Sequence, residues 1–264
     1  MRYLRETLCA TAAATMTLAL AAPALAAEAA PNYVALGDSY SSGVGSREYF
    51  EDSGDCLRSP KSYAQLWADA NGAALTFNAC SGATTDDVNA DQLSGLGADT
   101  TLVTISVGGN DVGFSGVVQD CLLGSDDSCD SAVSAAEEKG RSELPGKLDT
   151  TYANIKQAAP NAQVVVLGYP RLNQPTGDCG IPGFSEAKRQ RINAGADVLA
   201  GVISERAEAA GFTFADPREV FDGHGVCSDS EWINGPSNPL QESFHPNASG
   251  YSEGYLPTLT AAIG

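Results

Sequence analysis

Five short apolar runs divide the chain, and each stops at a glycine or a polar turn. Tyr33-Val34-Ala35-Leu36 ends at Gly37, Leu75-Thr76-Phe77 ends at Asn78, and the β-branched stretch from Thr101 to Val107 breaks at Gly108-Gly109. Val164-Val165-Val166-Leu167 ends at Gly168, and Phe212-Thr213-Phe214 is the last short run. Runs of this length bounded by turn residues predict buried strands. Between them the hydrophobic period changes. Ser59-Pro60 reads as a helix cap followed by a first-turn proline, with Tyr63, Leu66 and Trp67 at helical spacing up to Asn71-Gly72. Ala132 to Ala159 is helical in composition with an interruption at Pro145, and Phe184 to Ala210 sets Ile192, Ala196, Leu199 and Ile203 on one helical face. From Asn247 onward the pattern is helical despite Pro257. Strands that are continuously apolar and alternate with helices predict a parallel sheet covered on both faces, an α/β fold. In such sheets ligands sit beyond the carboxyl ends of the strands, which directs attention to the residues after each run.

The first thirty residues follow a different logic. Arg2 and Arg5 open the chain, an almost uncharged run extends from Thr7 to Ala22, and Pro23 precedes the small-residue triplet Ala24-Leu25-Ala26. This is the layout of a secretory signal peptide over residues 1–26, cleaved after Ala26. The run is short for a spanning helix, and no other stretch is long and apolar enough, so no membrane insertion is expected. Residues 27–264 then form a single domain without repeat, linker or low-complexity stretch.

Export changes how the cysteines read. Cys9 leaves with the signal, and Cys56, Cys80, Cys121, Cys129, Cys179 and Cys227 remain. An even count in an exported chain predicts three disulfides, although six cysteines permit about 15 pairings. Pairing of nearest neighbours is preferred, because each pair (56–80, 121–129, 179–227) brackets one loop-rich insertion. The chain has no Cys-x-x-Cys spacing and no two histidines three to five residues apart, so no metal is expected. With 15 basic and 33 acidic residues, a net charge of -18, the composition argues against roles that rest on a basic surface. Nucleic acid and anionic membrane are therefore excluded as partners.

Three strand ends and one late turn carry the candidate chemistry. Gly37-Asp38-Ser39-Tyr40-Ser41 follows the first strand, Cys80-Ser81-Gly82-Ala83 the second, and Gly108-Gly109-Asn110-Asp111 the third; Phe244-His245-Pro246-Asn247 stands before the last helix. A serine hydroxyl attacks well only when a base accepts its proton. Only His224 and His245 are available. His224 lies in a loop beside Cys227, whereas His245 precedes a proline and is biased to an extended, loop-presented conformation. Asp38 and Asp111 read as acceptors that hold their own turns. Tyr40, Phe114, Phe184, Trp232 and Ile233 could line an apolar groove or sit in the core.

The order of these segments resembles that of the GDSL/SGNH serine esterases and lipases, nearest the exported actinomycete lipases and phospholipases, over nearly all of the chain after the signal. The resemblance implies a three-layer α/β/α, flavodoxin-like SGNH hydrolase fold with a central parallel sheet of about five strands. It implies Ser39 as nucleophile and His245 as general base, with an oxyanion hole from the N–H groups of Ser39 and Gly82 and the side-chain amide of Asn110. No Gly-x-Ser-x-Gly elbow occurs, which argues against the α/β-hydrolase fold. The family commonly has aspartate three residues before the histidine; this chain has Glu242 there. Either Glu242 orients the imidazole or the Ser243 carbonyl does so in a Ser-His dyad, and the dyad is preferred. The implied activity is hydrolysis of fatty acyl esters, of a simple ester, glyceride or phospholipid, by a secreted monomer that needs no cofactor. A carbohydrate acetyl esterase and a non-catalytic binding protein on the same scaffold are the alternatives.

Overall fold

The structure is a computed structural model that describes residues 30–264. The expected signal peptide over residues 1–26, and Cys9 with it, lies outside the described residues. Five strands, β1 (Asn32–Gly37), β2 (Ala74–Phe77), β3 (Leu102–Ser106), β4 (Gln163–Leu167) and β5 (Thr213–Ala215), form one parallel sheet in the order β2-β1-β3-β4-β5. Each coincides with one of the apolar runs. The central strands are buried on both faces, which is why they show no alternation.

Two helix layers cover the sheet. After the one-turn helix α1 (Ser39–Ser42) comes α2 (Tyr63–Asn71), capped by Ser62 and stopped by Gly72 in the left-handed conformation. The last helix, α8 (Leu256–Ile263), packs against α2, and Tyr63 stacks on Tyr255 with ring centroids 5.5 Å apart. On the other face lie the short α3 (Thr85–Asp87), then α4 (Phe114–Leu123), α5 (Asp126–Ser142), α6 (Leu144–Ala158) and the long α7 (Glu186–Ala210), with α7 against α5 and α6. No helix among the described residues is long and apolar enough to cross a membrane. Pro257 sits in the first turn of α8, which continues from a wider helical turn over Gly250–Tyr255.

Two differences from the sequence reading have local causes. Helix α5 starts six residues before Ala132, because Ser125 accepts a hydrogen bond from the Ser128 N–H and Asp126 and Asp127 complement the helix N-terminus. Helix α4 was not predicted: it has no side-chain cap and follows Gly113, and its packing on α5 and the Cys121–Cys129 disulfide hold it. The cysteines pair as nearest neighbours, Cys56 with Cys80, Cys121 with Cys129 and Cys179 with Cys227. In the chain-entropy account the two longer loops, of 24 and 48 residues, contribute on the order of 3–4 kcal/mol each.

Strand order reverses at β1: the chain moves to β2 on one side and later to β3 on the other. The crevice beyond β1 and β3 is thus the switch point where α/β sheets place ligands. Gly37 closes β1 there with φ +118°, and a side chain on it would run into the Ser106 backbone. Gln92 clamps this strand end, accepting from the Gly37 N–H at 2.7 Å and donating to its carbonyl at 2.9 Å.

Candidate active site

Asp38 caps α1, its Oδ1 accepting the Tyr40 N–H at 3.0 Å, so Ser39 opens a helical turn directly after β1. The Tyr169 hydroxyl donates to the second oxygen of Asp38 and accepts the Gly109 N–H at 3.2 Å. Asp38 therefore holds its own turn, as read from the sequence, and also ties it to the ends of β3 and β4. Burial pushes the Asp38 carboxyl up to about 7, against the downward pull of the bonds from Tyr169 and Tyr40.

The Ser39 hydroxyl lies 2.7 Å from Nε2 of His245. A short antiparallel pairing of Ile233 with Pro246 presents the histidine, with the Asn234 N–H donating to the His245 carbonyl at 2.9 Å and the Phe244 N–H to the Asn234 carbonyl at 2.8 Å. Two further bonds fasten this turn to the nucleophile loop: Asn234 Nδ2 donates to the Gly45 carbonyl at 2.9 Å, and the Tyr40 hydroxyl to the Phe244 carbonyl at 2.6 Å. Phe244 adopts φ +58°, a strained left-handed conformation for a bulky residue, which these bonds hold in place.

His245 Nδ1 lies 3.0 Å from the Ser243 carbonyl oxygen. A carbonyl only accepts, so Nδ1 carries the proton and Nε2 turns its lone pair to Ser39. Burial pushes the imidazole down to about 4, partly offset by the Ser243 bond, and the ring is therefore neutral at ordinary pH. Glu242 is buried, and its carboxylate makes no hydrogen bond to the ring. It accepts the Tyr49 hydroxyl at 2.7 Å and pairs with Arg47 at 3.5 Å. Of the two possible orienters, the Ser243 carbonyl is the one at hydrogen-bond distance. His224 is elsewhere, stacked on Trp232 at 3.6 Å with Nδ1 on the Ser230 carbonyl.

Gly82 has φ +83°, and a Cβ there would project into open space. The left-handed conformation alone favours glycine there. The Ser81 N–H donates to the Cys56 carbonyl at 3.0 Å, so the Cys56–Cys80 bridge and this bond anchor the loop. Asn110 Nδ2 donates to the Ala83 carbonyl at 3.0 Å, which fixes its amide plane and leaves a second N–H for another acceptor. Asp111 does not hold its own turn, contrary to the sequence reading. It reaches across to Thr85.

From Ser39 and Asn110 a cleft, partly open to solvent, runs between α4, α5 and α7. Its walls are mostly apolar, with Phe114 and Val117 from α4, Val133 and Ala136 from α5, and Ile192 and Leu199 from α7. Of the five candidate groove residues, Tyr40 and Phe114 line this cleft. Phe184 and Ile233 are core, and Trp232 packs edge-on against Phe221. Sequence reasoning missed Tyr169 and Thr85, whose partners lie far along the chain.

Residues 35–252 match the model of the GDSL-like Lipase/Acylhydrolase family. The chain is 49% identical over 253 residues to Lipase 1 of Streptomyces coelicolor, covering 95% of this chain and 94% of that protein. Among solved structures it is similar to the extracellular lipase of Streptomyces rimosus, with 46% identity, a TM-score of 0.86, and coverage of 88% of this chain and 100% of that one. The phospholipase A1 of Streptomyces albidoflavus NA297 matches equally, at 46% identity and a TM-score of 0.86 over 89% of this chain and 100% of that one.

Proposed function

The chain belongs to the GDSL-like lipase/acylhydrolase family and is a carboxylic ester hydrolase; from that premise we propose that it cleaves fatty acyl esters through an acyl-enzyme on Ser39. The observation that carries the reading is the 2.7 Å contact of Ser39 Oγ with His245 Nε2 at the mouth of an apolar cleft. The Ser39 oxygen attacks the ester carbonyl carbon while its proton passes to Nε2 of His245. The carbonyl oxygen becomes an oxyanion, held by the N–H groups of Ser39 and Gly82 and the free amide N–H of Asn110. Preorganised donors of this kind supply the largest share of such catalysis. Collapse breaks the bond to the alcohol oxygen, which leaves with the proton from His245. Water, deprotonated by the same imidazole, then releases the acid from Ser39.

The Ser243 carbonyl orients His245 through Nδ1, so the unit is a dyad. It stabilises the imidazolium less than a carboxylate would. The acyl tail occupies the cleft between α4, α5 and α7. The alcohol portion is a glyceride or a phospholipid, supported by likeness to the S. rimosus lipase and the S. albidoflavus phospholipase A1. The protein acts outside the cell as a monomer of residues 27–264, after loss of a signal peptide ending at Ala26. A p-nitrophenyl ester series from acetyl to palmitoyl tests the substrate class. kcat/KM should rise from acetyl to medium or long chains; a strong preference for acetyl over octanoyl would instead support a deacetylase.

A further inference from the structure

Two of the oxyanion donors, Gly82 and Asn110, come from loops that follow different strands, so their spacing must be set by something that crosses between the loops. Asp111 makes that crossing. Its side chain is only 2% exposed, and both oxygens are turned to one residue of the Gly82 loop. Oδ2 accepts the Thr85 N–H at 3.0 Å and Oδ1 accepts the Thr85 hydroxyl at 2.6 Å. Thr85 is fully buried, and its neighbours Thr84 and Asp87 close a capping box that stiffens the turn. Lys147 on α6 approaches Oδ1 at 3.4 Å and Asp86 at 3.0 Å, from the outer side of the same junction. Asn110 adds a third link through its own amide to the Ala83 carbonyl.

We propose that Asp111 is a positioning residue for the oxyanion hole: its two bonds to Thr85 set the distance between the Gly82 N–H and the Asn110 amide. The inference rests on the acyl-enzyme reading above. Asp111 lies next to one donor, and Thr85 lies three residues from the other. Asp111 is not among the residues lining the cleft, so its effect passes through Asn110 and Gly82. A loosened brace would leave the substrate site intact but misplace donors that count most when the carbonyl carbon becomes tetrahedral. Errors of about 1 Å in such alignment can cost on the order of 10²-fold in rate.

The test uses the mature, disulfide-bonded protein with Asp111→Asn, Asp111→Ala, Thr85→Ser and Thr85→Ala. Rates on p-nitrophenyl butyrate are normalised to sites titrated with a fluorophosphonate, alongside the inhibition constant of an alkylboronic acid, which forms a tetrahedral adduct on the serine. Asparagine puts a donor where one Thr85 donor points, so Asp111→Asn should lower kcat roughly ten- to hundred-fold with KM little changed. The boronate constant should weaken in step with kcat. Thr85→Ser keeps both donors and should stay near the parent rate, whereas Thr85→Ala should fall between. If folded Asp111→Asn and Asp111→Ala keep the parent kcat per titrated site and the parent boronate constant, the inference is wrong. A lower melting temperature with kcat per site unchanged overturns it equally, because Asp111 would then only stabilise the fold. If the parent protein itself hydrolyses no ester, the failure belongs to the proposed function instead.

Discussion

Glu242→Gln separates a dyad from a triad. The residue stands where a triad carboxylate would be read from the sequence, yet its Oε1 accepts the Tyr49 hydroxyl at 2.7 Å and its other oxygen faces Arg47 at 3.5 Å. Glutamine has the same shape and can keep accepting from Tyr49 through its carbonyl oxygen. What is lost is the ion pair with Arg47; Glu242 is buried, but the charge left behind on Arg47 is 65% exposed and rehydrates, so the loss is about 1 kcal/mol. That corresponds to a fall in melting temperature of about 2–4 °C at most for a domain of this size. The Nδ1 bond of His245 to the Ser243 carbonyl is untouched. The rate should therefore stay within about fivefold, the equivalent of 1 kcal/mol. Removing the charge of a true orienting carboxylate costs on the order of 10⁴ in kcat, so the two cases differ by more than three orders of magnitude. The assay is kcat per fluorophosphonate-titrated site on p-nitrophenyl butyrate, with a thermal melt of each protein. A loss of 10³-fold or more at unchanged melting temperature would refute the reasoning and restore a triad through Glu242.

The neutral, buried imidazole of His245, with its pKa pushed down to about 4, also sets the acid limb of the pH profile. Protonation removes the base, so the histidine's limb in kcat/KM should drop about tenfold per unit only below about 4; in Asp38→Asn, which removes any inflection from the Asp38 carboxyl near 7, a limb still near 6.5 would show an unperturbed histidine. Asn110→Ala removes one oxyanion donor and should lower kcat by roughly 10²–10³ with KM little changed, measured on the same ester. Ala136→Phe puts an aromatic ring into the cleft between α5 and α7. Overfilling of about 1–3 kcal/mol should lower kcat/KM for decanoyl esters tenfold or more while acetyl esters are spared, and an equal fall for both would place the acyl tail elsewhere.

The strands were legible because a parallel sheet buried on both faces writes itself as continuous apolar runs, and all five runs became strands. The placement of Ser39, Gly82 and Asn110 was legible for a related reason: each lies in the loop after one of three neighbouring strands, whose parallel order puts those loops at one end of the sheet. His245 was favoured by elimination, since the chain has only two histidines. Other features depend on contacts that leave no local pattern. Tyr49 and Glu242 are 193 residues apart, Tyr169 and Asp38 are 131 apart, and the partner of Asp111 lies 26 residues away in another loop. Between Glu242 and Ser243 only a preference for the dyad was legible: the group at hydrogen-bond distance from Nδ1 is a backbone carbonyl, and every residue has one. Helix α4 escaped notice because a disulfide and packing on α5 hold it, with no side-chain cap to mark its start.

The most direct test of the central claim is covalent labelling of the folded, disulfide-intact protein with a fluorophosphonate, read by peptide mass spectrometry. One stoichiometric adduct is expected on Ser39, none on Ser39→Ala, and labelling of His245→Ala should be slower by orders of magnitude. Absence of an adduct, or an adduct on another serine with Ser39 unmodified, would contradict it.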